Sequence, residues 1–396
     1  MSIFSTVYDN GTGFGDLRVN VDPFTGKTAI HTPVVSRYPK VPLIKREDFF
    51  DSVCKKMLRG EIDKRIDHSL ETLKTTFNPG LTHFDGKYLM LVRFENAERW
   101  NHVYVAMSDD GINWDHNPVL CKLPDLPKTP DMDMAASRFG DDILQKKWRD
   151  GDMYDPRITQ MDNGEYFITF AVDYDTLEED GAPYTNICDN VLYKTKDFSK
   201  FEFVCTFAAS SRNGIFFPRQ IDGCWYNAGR PIRSGKAGRA YTYLYRSKDL
   251  KNWEEVETLI IGGHNWMTYA GTGFPPFETE NYWVVGTHGV GEQGTHRVHY
   301  QGGLMLLDKK TMKPVARPVP LITPQELCEF TGWVDNVIFP TGILFEDGTH
   351  NGIKSPDTKA VIYFGGGDQV INAGTTTVGK LVEHALGNYN PFQVLS

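Results

Sequence analysis

The sequence predicts an all-β fold: a five-bladed β-propeller with an N-terminal extension containing one long amphipathic helix. Three observations carry that expectation. A proline-containing phrase recurs five times and ends each time in a chain reversal: Asn78-Pro79 to Asp85-Gly86, Asp155-Pro156 to Asp162-Asn163-Gly164, Phe217-Pro218 to Asp222-Gly223, Pro275-Pro276 to Glu280-Asn281, and Phe339-Pro340 to Asp347-Gly348. Each reversal leads into an aromatic strand pattern, such as Lys87-Tyr-Leu-Met-Leu-Val or Glu165-Tyr-Phe-Ile-Thr-Phe. The reversals at Asp85, Asp162, Asp222, Glu280 and Asp347 are spaced by 77, 60, 58 and 67 residues, which suits one four-stranded sheet per unit. Repetition at such a period is the mark of radial architecture, in which equivalent positions of all blades meet around one axial funnel.

The elements follow in chain order. Residues 1–45 are rich in Gly, Pro and Asn/Asp turn formers and read as an extended arm. Between Arg46 and Leu73, apolar residues recur at three- and four-residue steps (Phe49, Phe50, Val53, Met57, Leu58, Ile62, Ile66, Leu70), which is the period of an amphipathic helix. Its apolar face either packs on the outside of the propeller or forms a homo-oligomer contact. The expected division is residues 1–74 as arm and helix packing on the propeller, and 75–396 as the propeller. Three blades share a Ser/Thr-x-Asp turn that ends in an aromatic anchor: Ser108 to Trp114, Thr195 to Phe201 and Ser247 to Trp253. Residues 123–151 break the rhythm just before Asp155, and a long insert there is expected to form a substrate-binding lid or rim.

Composition narrows the function classes. With 40% hydrophobic and 23% charged residues, the chain can bury a substantial core. A formal charge of -9 argues against a nucleic-acid partner, which would need a basic stripe. No apolar run reaches the length of a membrane span, and the first residues carry no basic-then-apolar leader pattern. Six scattered cysteines without C-x-x-C spacing fit reduced thiols, so the expected location is the cytoplasm. No metal site is expected, because the side chains of His296 and His299 would face opposite sides of a strand. Gly11-Thr-Gly-Phe-Gly15 lacks the strand–turn–helix surroundings of a dinucleotide loop, and no organic cofactor is expected.

Residues beside the repeated prolines should face the funnel: Asn78, Tyr154, Asp155 and Arg157, with Arg212 and Asn213 in the third unit. Strand ends add Arg93, Arg230, His288 and Asp368. Charged residues that end apolar strands are costly unless paired or solvated. Each alone could simply cap a strand; together they place acids, several arginines and a histidine at matching blade positions.

These phrases together resemble glycoside hydrolase family 130. The resemblance rests on Phe77-Asn-Pro-Gly80 with Arg93 fifteen residues beyond Asn78, Tyr154-Asp-Pro-Arg-Ile-Thr159, Arg212-Asn213 and Gly229-Arg-Pro231. It extends through Gly271-x-Gly-x-Pro-Pro276, His288-Gly-Val290, Tyr300, Asn336-Val-Ile-Phe-Pro340 and Gly367-Asp368, covering roughly residues 75–385. It implies a five-bladed propeller acting on β-mannosides, with most members inverting phosphorylases and a minority hydrolases. It implies Asp155 as the single catalytic acid, its proton reaching the glycosidic oxygen through a mannosyl hydroxyl. It implies Arg212, Asn213, Arg230, His288 and Tyr300 as phosphate-binding residues, and Asn78, Arg93, Tyr154 and Asp368 as sugar-binding residues. Inorganic phosphate is then a co-substrate and a β-manno-disaccharide or oligosaccharide the other.

The chemistry agrees with one acid and several cations. An inverting hydrolase needs a second carboxylate to activate water, whereas phosphate is already a nucleophile and needs bidentate cationic grip. There is one departure: Tyr269 stands where phosphorylases of the family usually carry Lys. The expected activity is inverting phosphorolysis giving α-mannose 1-phosphate. The alternatives are inverting hydrolysis, with Glu278 or Asp335 as second carboxylate, and a non-catalytic carbohydrate-binding propeller.

Overall fold

Five antiparallel sheets form the blades of a propeller in the computed structural model, which describes residues 18–21, 28–31, 33–49, 73–96, 101–127, 153–173, 188–207, 211–231, 241–263, 266–293, 297–389 and 392–394. Blade 1 comprises Leu73–Phe84, Lys87–Asn96, Asn101–Ser108 and Val119–Leu120, counted from the inner strand outward. Blade 2 is Met153–Gln160, Tyr166–Asp173, Cys188–Thr195 and Phe201–Thr206. Blade 3 is Ser211–Phe216, Trp225–Pro231, Tyr241–Ser247 and Glu254–Ile261. In blade 4 the inner edge is split into Tyr269–Thr272 and Phe277–Thr279, followed by Tyr282–Gln293, Arg297–Asp308 and Val319–Ile322.

Blade 5 is assembled from both ends of the chain. Ile338–Phe345, Lys359–Gly366 and Val370–Thr377 supply three strands, and Ser36–Arg37 and Ile44–Lys45 pair with the outer edge of the third. Residues of the N-terminal arm are thus integral to a blade. Arg18–Val21, Thr28–His31 and Phe392–Val394 form a separate three-stranded sheet. Residues 47–49 are helical, whereas 50–72, which hold most of the expected amphipathic helix, lie outside the described residues, as does 128–151 of the insert. At the start of that insert, Leu126 is buried between blades 1 and 2 and Pro124 O accepts from Tyr193 Oη at 2.8 Å.

The local rules behind the hairpins are visible in the backbone. Asp85-Gly86 has φ of 51° and 73°, and Asp222-Gly223 has 49° and 72°. Two consecutive positive φ values give the turn whose twist matches the flanking strands, which is why Asp-Gly sits there. In the outer connections, Asp110, Asp197 and Asp249 accept from backbone N–H groups two and three residues on. The helix Val378–Ala385 starts at Thr377, whose side chain accepts from Lys380 N, and buries Val378, Leu381 and Ala385.

Packing closes the ring. Each neighbouring blade pair shares one apolar cluster: blades 1 and 2 around Leu91, Ile168 and Tyr193; 2 and 3 around Phe167, Leu192 and Phe216; 3 and 4 around Phe217, Leu244 and Trp283; 4 and 5 around Phe274, Leu304 and Ile362. The fifth cluster joins blade 5 to blade 1 through Tyr363, Ile371, Met90 and Phe94, and includes Leu43, Ile44 and Phe49 of the N-terminal segment. Inner-strand hydroxyls tie neighbours together as well, with Thr159 Oγ1 donating to Phe216 O at 3.0 Å and Thr341 Oγ1 to Pro79 O at 2.8 Å.

Candidate active site

Two of the repeated phrases, and Asn213-Gly214 just ahead of a third, build the same distortion in three inner strands. Asn78 and Pro79 together face Val92, Asp155 and Pro156 face Phe170, and Asn213 and Gly214 face Gly229, so each strand carries one extra residue. The first residue of each bulge is left-handed, with φ of 47°, 52° and 58°. Asn and Asp tolerate that region far better than branched or bulky residues do. A bulge of this kind bends the strand and re-aims the side chain, here bringing Asn78 and Asp155 of neighbouring blades into contact. Asp368 (φ 50°) and Asn336 (φ 59°) bring two more left-handed polar residues from blade 5 and its entry loop.

Arg93 organises the first half of the site. Its Nη1 donates to Asp155 Oδ1 at 2.6 Å, Nη2 to Glu95 Oε2 at 2.7 Å and Nε to Asn101 Oδ1 at 2.7 Å. Phe77 and Tyr154 flank the guanidinium, their ring centroids 4.1 and 4.5 Å from its carbon. Asn78 Nδ2 also donates to Asp155 Oδ1, at 2.9 Å. Both bonds therefore fall on one carboxylate oxygen, which leaves Oδ2 as the oxygen available to carry a proton. Burial opposes the charge on Arg93, but Asp155, Glu95 and Asp368 outweigh it and raise its pKa. Asp368 keeps part of its surface open yet lies deep among protein atoms. Burial, with Asp155 and Glu95 adding to it against the pull of Arg93, pushes its carboxyl up to about 7.

The second half is cationic. Arg212 and Arg230 are direct cross-strand partners in blade 3. In blade 4, Tyr269, Val290 and Tyr300 form one row across three strands, and Gly271, His288 and Gly302 form the row two residues along. His288 lies 6.3 Å from Tyr300 with their planes 17° apart, and meets the Phe339 ring edge-on at 4.5 Å. Its Nδ1 is 2.9 Å from Thr272 O. Burial, then the charges of Arg230 and Arg157, hold its pKa well below the usual histidine range. Arg157 connects the halves: Nη1 donates to Asp155 O at 3.1 Å and Nε crosses to Gly273 O of blade 4 at 2.8 Å. It is 1% exposed, and burial lowers its pKa to about 10.

The sequence-derived residues thus fall into two adjoining groups: Asn78, Arg93, Tyr154, Asp155 and Asp368 in one, and Arg212, Asn213, Arg230, His288 and Tyr300 in the other. The two carboxylates considered for water activation are placed differently. Glu278 is bound by Arg219 at 2.8 and 2.9 Å and by Lys309 at 2.6 Å, and these bonds act against its burial to lower its pKa. Asp335 is exposed in a loop and accepts from Gly332 N at 3.3 Å. Tyr269 is half-buried, two rows from His288. Sequence reasoning missed Glu95 and gave Arg157 no role. Their signal was two-residue spacing, since Glu95 follows Arg93 on the same face of its strand.

Asp155, gripped by Asn78 and Arg93 and joined through Arg157 to the histidine and arginines of the second half, gives a five-bladed propeller the acid and the cations of a group-transfer enzyme. Residues 37–385 match the sequence model of glycoside hydrolase family 130, described as β-1,4-mannooligosaccharide phosphorylase. The chain belongs to that family. It is similar to a β-1,4-mannooligosaccharide phosphorylase of Ruminococcus albus, 26% identical over 368 residues that cover 91% of this chain and 94% of that protein. A 4-O-β-D-mannosyl-D-glucose phosphorylase of Bacteroides fragilis is 27% identical over 334 residues, covering 79% and 76%. Among solved structures, β-1,2-mannobiose phosphorylase of Listeria innocua in complex with β-1,2-mannobiose superposes with a TM-score of 0.63 at 19% identity, covering 90% of this chain and 99% of that one. That last likeness concerns the fold.

Proposed function

We propose that the protein is an inverting β-mannoside phosphorylase that transfers a mannosyl unit from a β-manno-disaccharide or oligosaccharide to inorganic phosphate, giving α-mannose 1-phosphate. One observation carries the reading: Arg157 joins Asp155 to a cationic pocket of Arg230, its cross-strand partner Arg212 and Asn213 around His288, while Glu278 is consumed by Arg219 and Lys309. Such a pocket suits an anionic nucleophile, which makes a second catalytic carboxylate unnecessary. Phosphorylase names among the relatives support the same reading.

In this mechanism Asn78, Arg93, Tyr154 and Asp368 hold the mannosyl unit, and Arg93 keeps Asp155 Oδ1 as an acceptor. The proton on Oδ2 passes through a mannosyl hydroxyl to the leaving oxygen. Phosphate, gripped by the arginines, attacks the anomeric carbon from the opposite face and inverts its configuration. No organic cofactor or metal is required, and phosphate is a co-substrate. Tyr269, a neutral residue where a Lys is usual, favours a second reading, inverting hydrolysis.

The test is turnover of β-1,4-mannobiose, β-1,4-mannosyl-glucose and β-1,2-mannobiose with and without phosphate, followed by phosphorus and proton NMR. The expected result is phosphate-dependent α-mannose 1-phosphate. Free mannose released at the same rate in phosphate-free buffer would establish hydrolysis instead.

A further inference from the structure

We propose that His288 is a specificity-determining residue: its Nε2 accepts a hydrogen bond from the P–OH of hydrogen phosphate, so the pocket selects a tetrahedral oxyanion that bears a hydroxyl. This inference rests on the phosphorolysis reading and adds to it a preference for one protonation state of the anion.

Gly271 and Gly302 lie opposite His288 on the two adjacent strands, so no side chain stands directly across from the ring, and Tyr300, two residues from Gly302, stacks 6.3 Å away. A Cβ at Gly271 would collide with the His288 ring and come within 2.6 Å of Asn213 Nδ2. The tautomer then follows from one contact. Nδ1 faces Thr272 O at 2.9 Å, and a carbonyl oxygen has no proton to give, so Nδ1 carries the hydrogen. A second proton on the ring is disfavoured, because the group is 1% exposed and lies in the field of Arg230 and Arg157. Nε2 is therefore a lone pair. It lies beside Asn213 Nδ2: the Cβ position at Gly271 is 3.0 Å from one and 2.6 Å from the other. Asn213 Nδ2 has no hydrogen-bond partner among the described residues.

The pocket therefore offers donors from Arg212, Arg230 and Asn213, the hydroxyl of Tyr300, and at His288 Nε2 a site that can only accept. An anion oxygen turned toward Nε2 is repelled unless it bears a proton. Hydrogen phosphate and hydrogen arsenate carry one hydroxyl; sulfate and molybdate dianions carry none. The reaction balances with this proton in place. Protonated Asp155, hydrogen phosphate dianion and the mannoside give ionised Asp155, mannosyl phosphate monoanion still bearing P–OH, and the freed sugar. Transfer of the P–OH proton back to Asp155 as product leaves restores the acid and releases the mannosyl phosphate dianion.

The experiment compares KM for phosphate with the competitive inhibition constants of sulfate and molybdate, using β-1,4-mannobiose and the intact protein. Unpaired lone pairs facing each other should weaken sulfate and molybdate about 5- to 150-fold relative to phosphate, while arsenate supports turnover. In His288→Gln, whose amide can turn an N–H toward the anion, the sulfate-to-phosphate ratio should fall to within about 3-fold. Sulfate competing as tightly as phosphate in the wild type, with turnover still phosphate-dependent, overturns the assignment of His288 alone. Phosphate-independent turnover overturns the phosphorolysis reading and this assignment together. Long-range proton–nitrogen NMR of the wild-type histidines is independent of the variant's folding. A phosphate-responsive ring protonated at Nδ1 only supports the proposal, and one protonated at Nε2 refutes it.

Discussion

Replacing Asp155 by Asn tests the catalytic assignment with little disturbance of the site. Oδ1 accepts from Asn78 at 2.9 Å and from Arg93 at 2.6 Å, and the amide oxygen of Asn accepts both. A φ of 52° suits Asn as well as Asp. Arg93 retains Glu95 and Asn101, each at 2.7 Å, so the guanidinium is not left as a buried unpaired charge. The stability cost is therefore about 1–3 kcal/mol, the scale of one weakened charged hydrogen bond, rather than the roughly 3–5 kcal/mol of a broken isolated pair. The chemical cost is larger, because a positioned acid contributes about 10²- to 10⁴-fold to the rate. Phosphorolysis of β-1,4-mannobiose should fall by that factor, whereas 4-nitrophenyl β-mannoside, whose leaving group needs no proton, should lose less than about tenfold. Release of α-mannose 1-phosphate from both substrates, with thermal melts by circular dichroism, measures the contrast. Equal losses on the two substrates, or disaccharide turnover within about tenfold of wild type, would refute the role of Asp155.

Three further outcomes follow from the geometry. Gly271→Ala pushes a methyl group into His288 and Asn213, so KM for phosphate should rise about 10²-fold while KM for the mannoside barely moves; steady-state kinetics in both substrates separates the two. Glu329 is 0% exposed and accepts from Arg37, Asn372 and the backbone of Gln325 and Glu326; Glu329→Gln turns an N–H toward those donors and should lower unfolding free energy by about 3–5 kcal/mol in urea titrations. The raised pKa of Asp368, about 7, means that its contribution to stability is full in acid and fades as pH rises through that value. Asp368→Asn should therefore flatten the fall in urea midpoint between about pH 4, the range of an unfolded Asp, and about pH 7, and an unchanged slope would contradict the assignment.

What was legible in the sequence was whatever restricts residue type locally. A left-handed bulge admits Asn, Asp or Gly and little else, so Asn78, Asp155 and Asn213 announced themselves beside their Pro or Gly neighbours. Gly86, Gly164, Gly223 and Gly348, each at positive φ, marked four of the five reversals for the same reason. Contacts fixed only by ring closure left no such trace. The Arg37–Glu329 pair joins residues 292 apart, and Arg157 reaches Gly273 O over a separation of 116. The strands at Ser36–Arg37 and Ile44–Lys45 are two residues each, too short for alternation to register. Glu278 shows the converse: the sequence offered it and Asp335 equally as a second carboxylate, and only the packing of Arg219 and Lys309 shows it to be occupied.

The blade assembled from both chain ends has a consequence for biosynthesis. Gly374 and Thr375 find their partners Arg37 and Ser36 only after almost the whole polypeptide has been made. Until then Ser36–Arg37 and Ile44–Lys45 wait unpaired; they are what covers the outer edge of Val370–Thr377, and bare strand edges recruit other chains. Loss of the first 45 residues would leave that edge permanently open, turning a sealed ring into a template for aggregation.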